Sequence, residues 1–484
     1  MTEAAPKVDD VNGSGRRPLP DWVTLLALCL GQGMVVLDVS IVNVALPAVR
    51  DSLGFSATGL QWVVTVYAVI YAGFLLLGGR VADLFGRRRV FLTGLAVFTA
   101  ASVVAGDAQD PGTLIAARAA QGLGGAVLSP ATLTLLTTTF SEGARRAKAM
   151  AVWSAVSAGG TAVGSVLGGV LTSLLDWRWV FFVNLPIGVA AFALALRAIA
   201  TGQRDNKPQR LDMTGAVLVT VGLLAVVYGT IASQQYGWGS ANTLAPLVGG
   251  VILLVWFVLH EARVAAQPLL VFRVLRLPSV AGANVVMLWL CCAVIAHFFF
   301  LTLYMQNVLG YTALEAGLAF LPGAIVMSAA AYAGPPLVRR AGARAPLVAG
   351  PLIAAIGLLW LGFLPVQGSY VRDLLVPMVL VTLGTGLAMT GLALSATSGV
   401  PREEAGLASG LFSTTRQVGG AIGLAVLAVV AAWTTGGAGR PDPGAEALTA
   451  GYDAAFLAGA VFASLAVVSA VVLARLTAKA VVEH

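Results

Sequence analysis

The run WVTLLALCLGQGMVVLDVSIVNVALP, Trp22 to Pro47, decides how the whole chain must be read. It is apolar for more than the ~20 residues a helix needs to cross a hydrocarbon core about 30 Å thick. A single carboxylate, Asp38, lies well inside it. The run exceeds the ~7–15-residue core of a signal peptide and has no clear cleavage site after it, so it reads as a span that stays in the membrane.

Working outward, thirteen more such runs follow, at about 60–79, 90–107, 113–136, 147–172, 179–198, 213–233, 243–260, 279–305, 314–338, 345–365, 373–396, 405–433 and 452–476. The composition agrees: 58% of the residues are hydrophobic and 11% charged, against about 25% charged in a soluble domain. The expected fold class is therefore an all-α polytopic membrane protein of fourteen spans.

The basic residues orient the map. Loops on the cytoplasmic side carry the Lys and Arg excess. With the N-terminus inside, those loops and the tails hold 23 basic residues, among them Arg80, Arg87, Arg88, Arg145, Arg146, Arg339 and Arg340. The opposite loops hold 4, namely Arg50, Arg178, Arg372 and Arg440, while Arg118 and Arg416 fall within spans. Both termini are expected in the cytoplasm. The net charge of +7 is explained by this segregation, so nucleic acid is not expected as a partner; the lipid bilayer is.

Six spans precede the polar stretch 201–211 and six follow 261–278, with two between. The divisions read as a tail over 1–20, a six-helix bundle over 21–200, a linker with two extra helices over 201–278, a second bundle over 279–476 and a tail over 477–484. The halves share a loop pattern. Gly78-Gly79-Arg80-Val81-Ala82-Asp83-Leu84-Phe85-Gly86-Arg87-Arg88 and Gly334-Pro335-Pro336-Leu337-Val338-Arg339-Arg340-Ala341-Gly342-Ala343-Arg344 each place glycines eight apart, followed by arginine. Repeated halves are a feature of secondary transporters, with the substrate site between them near the midplane.

Asp38 is the only carboxylate well inside a span. Its burial costs about 2.5–3.5 kcal/mol on insertion scales and marks an ion or proton path. Arg118, five residues into the fourth span, lies within about 6 Å of the same depth at 1.5 Å per residue; the two are the candidate proton-coupling pair, and Gln121, one turn further along the same span, faces the same way and could complete a polar site. Gly160, Gly164 and Gly168, with Gly169 adjoining, form a stripe along which another helix can approach closely. Gly79, Arg80, Asp83, Gly86, Arg87 and Arg88 form a compact charged turn, in which Asp83 could latch onto an arginine or a helix N-terminus. Asn43, Gln121, Trp153, Trp289, His297, Tyr304, Met389 and Arg416 are candidates to line a substrate cavity, although aromatic and Met residues in spans more often pack and a lone histidine is more often an interior hydrogen-bonder. An arginine in a span needs a partner, and none is obvious for Arg416. Cys29, Cys291 and Cys292 fall in apolar runs with no metal or disulfide spacing. No nucleotide loop or nucleophile constellation suggests an enzyme. The residues alone leave export, facilitated uptake and a membrane sensor open.

Several motifs carry a family resemblance. Leu37-Asp38-Val39-Ser40-Ile41-Val42-Asn43-Val44-Ala45-Leu46-Pro47, the Gly79–Arg88 loop, Arg118-Ala119-Ala120-Gln121-Gly122-Leu123-Gly124, Trp177-Arg178-Trp179-Val180-Phe181 with Asn184 and Pro186, and Arg416-Gln417-Val418-Gly419-Gly420 are jointly similar to the fourteen-span drug/proton antiporters of the major facilitator superfamily. The resemblance implies two six-helix bundles, alternating access, and export of small, mostly apolar drugs or antibiotics across a bacterial cytoplasmic membrane. It assigns proton coupling to the Arg118 motif. No cofactor is called for, a proton gradient supplying the energy, and a monomer suffices. One departure stands out: the family's span-5 motif usually places proline after the central glycine, where this chain has Gly164-Ser165.

Overall fold

The computed structural model describes residues 20–140, 144–199, 212–265, 272–341, 344–397, 399–400, 405–435 and 444–482. Residues 1–19 of the tail, the stretch 201–211 and the side chain of Asp83 lie outside the described residues.

Fourteen long helices coincide with the fourteen apolar runs. They are α1 Asp21–Leu53, α2 Trp62–Phe85, α3 Arg87–Gly106, α4 Pro111–Thr139, α5 Ala144–Leu174, α6 Trp179–Ala198 (broken at Val183), α7 Met213–Tyr236 and α8 Ala241–Arg263. The second half holds α9 Pro278–Asn307, α10 (Ala313–Ala319 running into Leu321–Ala341), α11 Arg344–Leu361, α12 (a π-turn Tyr370–Leu375 leading into Val376–Thr397), α13 Ala405–Thr434 and α14 Ala445–Val482. Among the described residues twelve are long and apolar enough to cross a membrane. In the other two, α2 and α5, the corresponding apolar stretches are Trp62–Leu75 and Val163–Leu174. The last helix continues past residue 476, where the sequence suggested a tail.

Polar side chains start and stop the helices. Asp110 accepts the Thr113 N–H at 2.9 Å and its hydroxyl at 2.6 Å, opening α4 at Pro111. Those two bonds, the hydroxyl first, hold the Asp110 carboxyl below the usual carboxylate range. Thr312 and Glu315 form a reciprocal capping box at the start of α10. Between α2 and α3 a single residue, Gly86 at φ +90°, makes the turn.

Helices α1–α6 pack into one bundle and α9–α14 into another, through equivalent pairs: α1 on α5 and α6 as α9 on α13 and α14, α4 on α2 and α3 as α12 on α10 and α11. Lipid offers no hydrophobic drive for helix association, so close approach of small residues holds such pairs. A Cβ on Gly94 would stand 3.0 Å from the Leu128 nitrogen across α3–α4, and one on Gly350 2.6 Å from the Ala388 nitrogen across α11–α12. Gly350 lies 256 residues beyond Gly94, the same offset that separates Gly334 from Gly78. The repeat seen in the loops thus extends into the helix packing.

The bundles meet along two seams, α2 against α13 and α5 against α10. The extra pair is asymmetric. Whereas α8 packs along α7, α7 itself packs against both α2 and α13, with Leu223, Val227 and Ile231 clustered on Val69, Ala421 and Ala425. It is thus less peripheral than a linker helix would be. Gly350→Val should force α11 and α12 apart and lower stability by about 1–3 kcal/mol, read as a reduced melting temperature of the purified protein in detergent.

Candidate functional site

The site is a polar cluster sealed inside the first bundle. Asp38 of α1 and Arg118 of α4 are 0% and 1% exposed. Arg118 Nη1 donates to Asp38 Oδ2 at 2.5 Å and to Gln121 Oε1 at 2.9 Å. The other carboxylate oxygen, Oδ1, accepts from Gln121 Nε2 at 3.0 Å and from Asn184 Nδ2 of α6 at 3.1 Å. Ser102 of α3 completes the ring: its hydroxyl accepts from Gln121 and Asn184 at 3.0 and 2.9 Å and donates to the Phe181 carbonyl at 2.9 Å. The guanidinium is also held by the Val63 carbonyl, 2.9 Å from Nε, and lies 4.4 Å from the centre of the Tyr67 ring. A buried charge pair is tolerable only when hydrogen bonds from its surroundings support it, and here residues of five helices surround it.

The break in α6 seats Asn184. Trp177 is 3% exposed and meets Phe181 edge-on at 6.2 Å, while Arg178 lies 4.5 Å over the Trp177 ring and donates to the Ala108 carbonyl at 3.2 Å. The Trp-Arg-Trp-Val-Phe motif therefore anchors the start of α6 to the end of α3, which brings Asn184 and the Phe181 carbonyl to Ser102.

The glycine stripe adjoins this cluster. A Cβ on Gly160 would stand 3.0 Å from Val36, one on Gly164 2.8 Å from the Leu37 carbonyl and one on Gly168 2.7 Å from that of Ile41, so α5 rests on the α1 turns that flank Asp38. Gly169 and Ser165 turn instead to α10. A Cβ on Gly169 would stand 2.6 Å from the Ala313 carbonyl, one on Gly317 2.5 Å from that of Ser165, and Ser173 accepts from the Leu314 N–H at 2.9 Å. With the Gln306 side chain donating to the Val44 carbonyl at 2.9 Å, these contacts close the α5–α10 side of the molecule at its arginine-poor end.

At the opposite end, Arg88 donates to the Leu196 carbonyl at 2.6 Å near the C-terminus of α6, where a cation suits the helix dipole. Arg80 lies within electrostatic range of Asp212 and Glu261, and His260 Nε2 is 3.0 Å from Asp212 Oδ1. The loop arginines thus tie α2 and α3 to α6 and to the extra helix pair. Arg87 and Gly79 remain half-buried beside them.

The cavity candidates divide. Gln121 belongs to the carboxylate cluster and is 0% exposed. His297 is buried beside Phe298 and Phe456 at 5.2 and 6.2 Å, and Tyr304 is buried with its hydroxyl on the Pro365 carbonyl at 2.5 Å. Asn43, Trp153, Trp289 and Met389 are half-buried; Trp289 stacks on Phe462 at 5.9 Å, and Asn43 donates to the Val39 carbonyl at 2.9 Å. Arg416 is exposed. Ser102 and Tyr67 were not singled out from sequence, and Asn184 entered only as part of a motif. The available signal was a serine and an asparagine interrupting otherwise apolar runs.

A sequence model described as the Major Facilitator Superfamily matches residues 28–424. The chain belongs to this superfamily. Within it, the chain is 47% identical over 440 residues to the cephamycin export protein CmcT of Amycolatopsis lactamdurans, covering 90% of this chain and 89% of that one. It is 41% identical over 417 residues to the puromycin resistance protein pur8 of Streptomyces alboniger, covering 86% and 82%. Among solved structures, a bacterial homologue of the human lysosomal transporter Spinster, inward-facing and unoccupied, superposes with a TM-score of 0.69 at 16% identity over 95% of this chain and 98% of that one. That likeness speaks to the superfamily fold alone.

Gln121→Leu would remove the amide shared by Asp38, Arg118 and Ser102. It should destabilise the protein by about 1–3 kcal/mol, whereas Leu123→Ala, on an exposed face of the same helix, should cost less; thermal unfolding of both variants in one detergent separates them.

Proposed function

We propose that this chain is a proton-coupled antiporter that exports small, mostly apolar drugs or antibiotics across a bacterial cytoplasmic membrane. It works as a monomer with fourteen spans, both termini inside, and the bundles 21–200 and 279–476 rocking about a cavity between them. The observation that carries this reading is the Asp38–Arg118 pair, fully buried and held by amides from α4 and α6.

The pair is electrically balanced as it stands. Adding a proton to Asp38 neutralises the carboxylate and leaves the guanidinium uncompensated in a medium where an unpaired charge is costly. The Val63 carbonyl and the Tyr67 face offer Arg118 a partial substitute, so protonation favours a different arrangement of α1 against α2 and α4. Because α5 rests on α1 on either side of Asp38, a shift of α1 reaches the α5–α10 seam. Proton binding and opening of that seam then bias one two-state element. The relatives named for export and for resistance support outward movement of cargo over uptake.

Asp38→Asn keeps the shape and removes the carboxyl that would carry the proton. In proteoliposomes, pH-gradient-driven efflux should fall to background while the protein remains inserted and folded. Undiminished gradient-driven efflux from the variant overturns the reading.

A further inference from the structure

Arg416 has no place in the proton-coupling cluster. It lies eleven residues into α13, about 17 Å from the arginine-rich end and about 27 Å from the other at 1.5 Å per residue, a depth at which charge is rare and functional. Arg118, the other arginine placed within a span, is neutralised by Asp38. Among the described residues no carboxylate pairs with Arg416.

Its surroundings fix where the guanidinium points. The preceding residues bind both bundles, the Thr414 hydroxyl reaching the Ala72 carbonyl of α2 at 3.5 Å and the Thr415 hydroxyl the Asn284 side chain of α9 at 2.8 Å. Arg416 lies within electrostatic range of Tyr67 and Tyr71 on α2 and of Cys291 on α9, three buried residues on facing bundles. A charge felt by all three, yet exposed, faces the space between the bundles and not the lipid. Tyr67 is 2% exposed, and its hydroxyl has no hydrogen-bond partner among the described residues. Among the described residues, neither the Arg416 guanidinium nor the Tyr67 hydroxyl has a protein acceptor.

We propose that Arg416, aided by the Tyr67 hydroxyl, binds a carboxylate on the transported molecule, so that the cargo is an apolar body bearing one acid group. The guanidinium fork matches a carboxylate in two-point geometry, and the cargo supplies the counter-charge that the protein withholds. A cationic cargo would meet repulsion at the same place. Transport of that molecule rests on the export reading; its binding at Arg416 does not.

The test uses two probes of one shape, 2-naphthoate and 2-naphthamide, titrated calorimetrically into the full chain in detergent. The wild type should bind the acid about tenfold or more tightly than the amide. Arg416→Gln should abolish that difference and leave the amide's affinity in place. Arg416→Lys, which keeps the charge but not the fork, should retain part of the preference and covers the case in which the glutamine variant does not fold. Equal binding of the two probes by the wild type, or a preference undiminished in the variants, overturns the proposal. Naphthoate flux in proteoliposomes is scored separately: an intact binding preference without gradient-driven flux counts against export and leaves the Arg416 site standing.

Discussion

A carboxylate and a guanidinium buried against each other are the constraint on which the first bundle is arranged. With Asp38 and Arg118 0% and 1% exposed, neither can be solvated, so every remaining donor and acceptor has to come from protein. That requirement recruits Gln121 from the same helix as Arg118, Asn184 from beyond the break in α6, Ser102 from α3 and a backbone carbonyl from α2. Each recruit fixes the depth and rotation of its helix. The cluster therefore does for the interior of this bundle what small-residue contacts do for its helix pairs, but through charge and hydrogen bonds.

The two bundles share a frame and differ in chemistry. Glycines 256 residues apart bring α3 to α4 and α11 to α12 in corresponding places, so the packing instructions are duplicated. The charge pair is not. At the positions 256 residues on from Asp38 and Arg118 stand Val294 and Leu374, both in an apolar core. The division puts the buried charge pair in one half and an apolar counterpart in the other.

Much of the architecture was legible because the membrane imposes a coarse code. Run length and the side on which arginine accumulates located the helices, and the α2–α3 turn could be read from Gly86 between charged neighbours. Asp38 and Arg118 could be matched because depth along a span is countable and only one carboxylate sat deep. Rotation about the helix axis could be read only relative to a residue already placed: Gln121, one turn beyond Arg118, shares its face and joins the cluster. Spans that are apolar on every face carry little amphipathic signal, so nothing local showed that Asn43 stays outside the cluster or that His297 and Tyr304 are buried. Asn184 meets Asp38 across 146 residues of chain and Ser102 across 82, a convergence that belongs to the assembled bundle. The position of α7 was hidden for the same reason: within the membrane its packing on α2 and α13 is mostly apolar, through Leu223, Val227 and Ile231.

That position makes the molecule lopsided with respect to lipid. The α2–α13 seam is covered over part of its length by α7, whereas the pseudo-equivalent α5–α10 seam has no such helix across it among the described residues. A solute dissolved in one leaflet thus meets two unlike flanks: one is screened by a third helix, and at the other only two helices must part. Any traffic between the bilayer and the space between the bundles would have a preferred side, set by a helix that belongs to neither bundle.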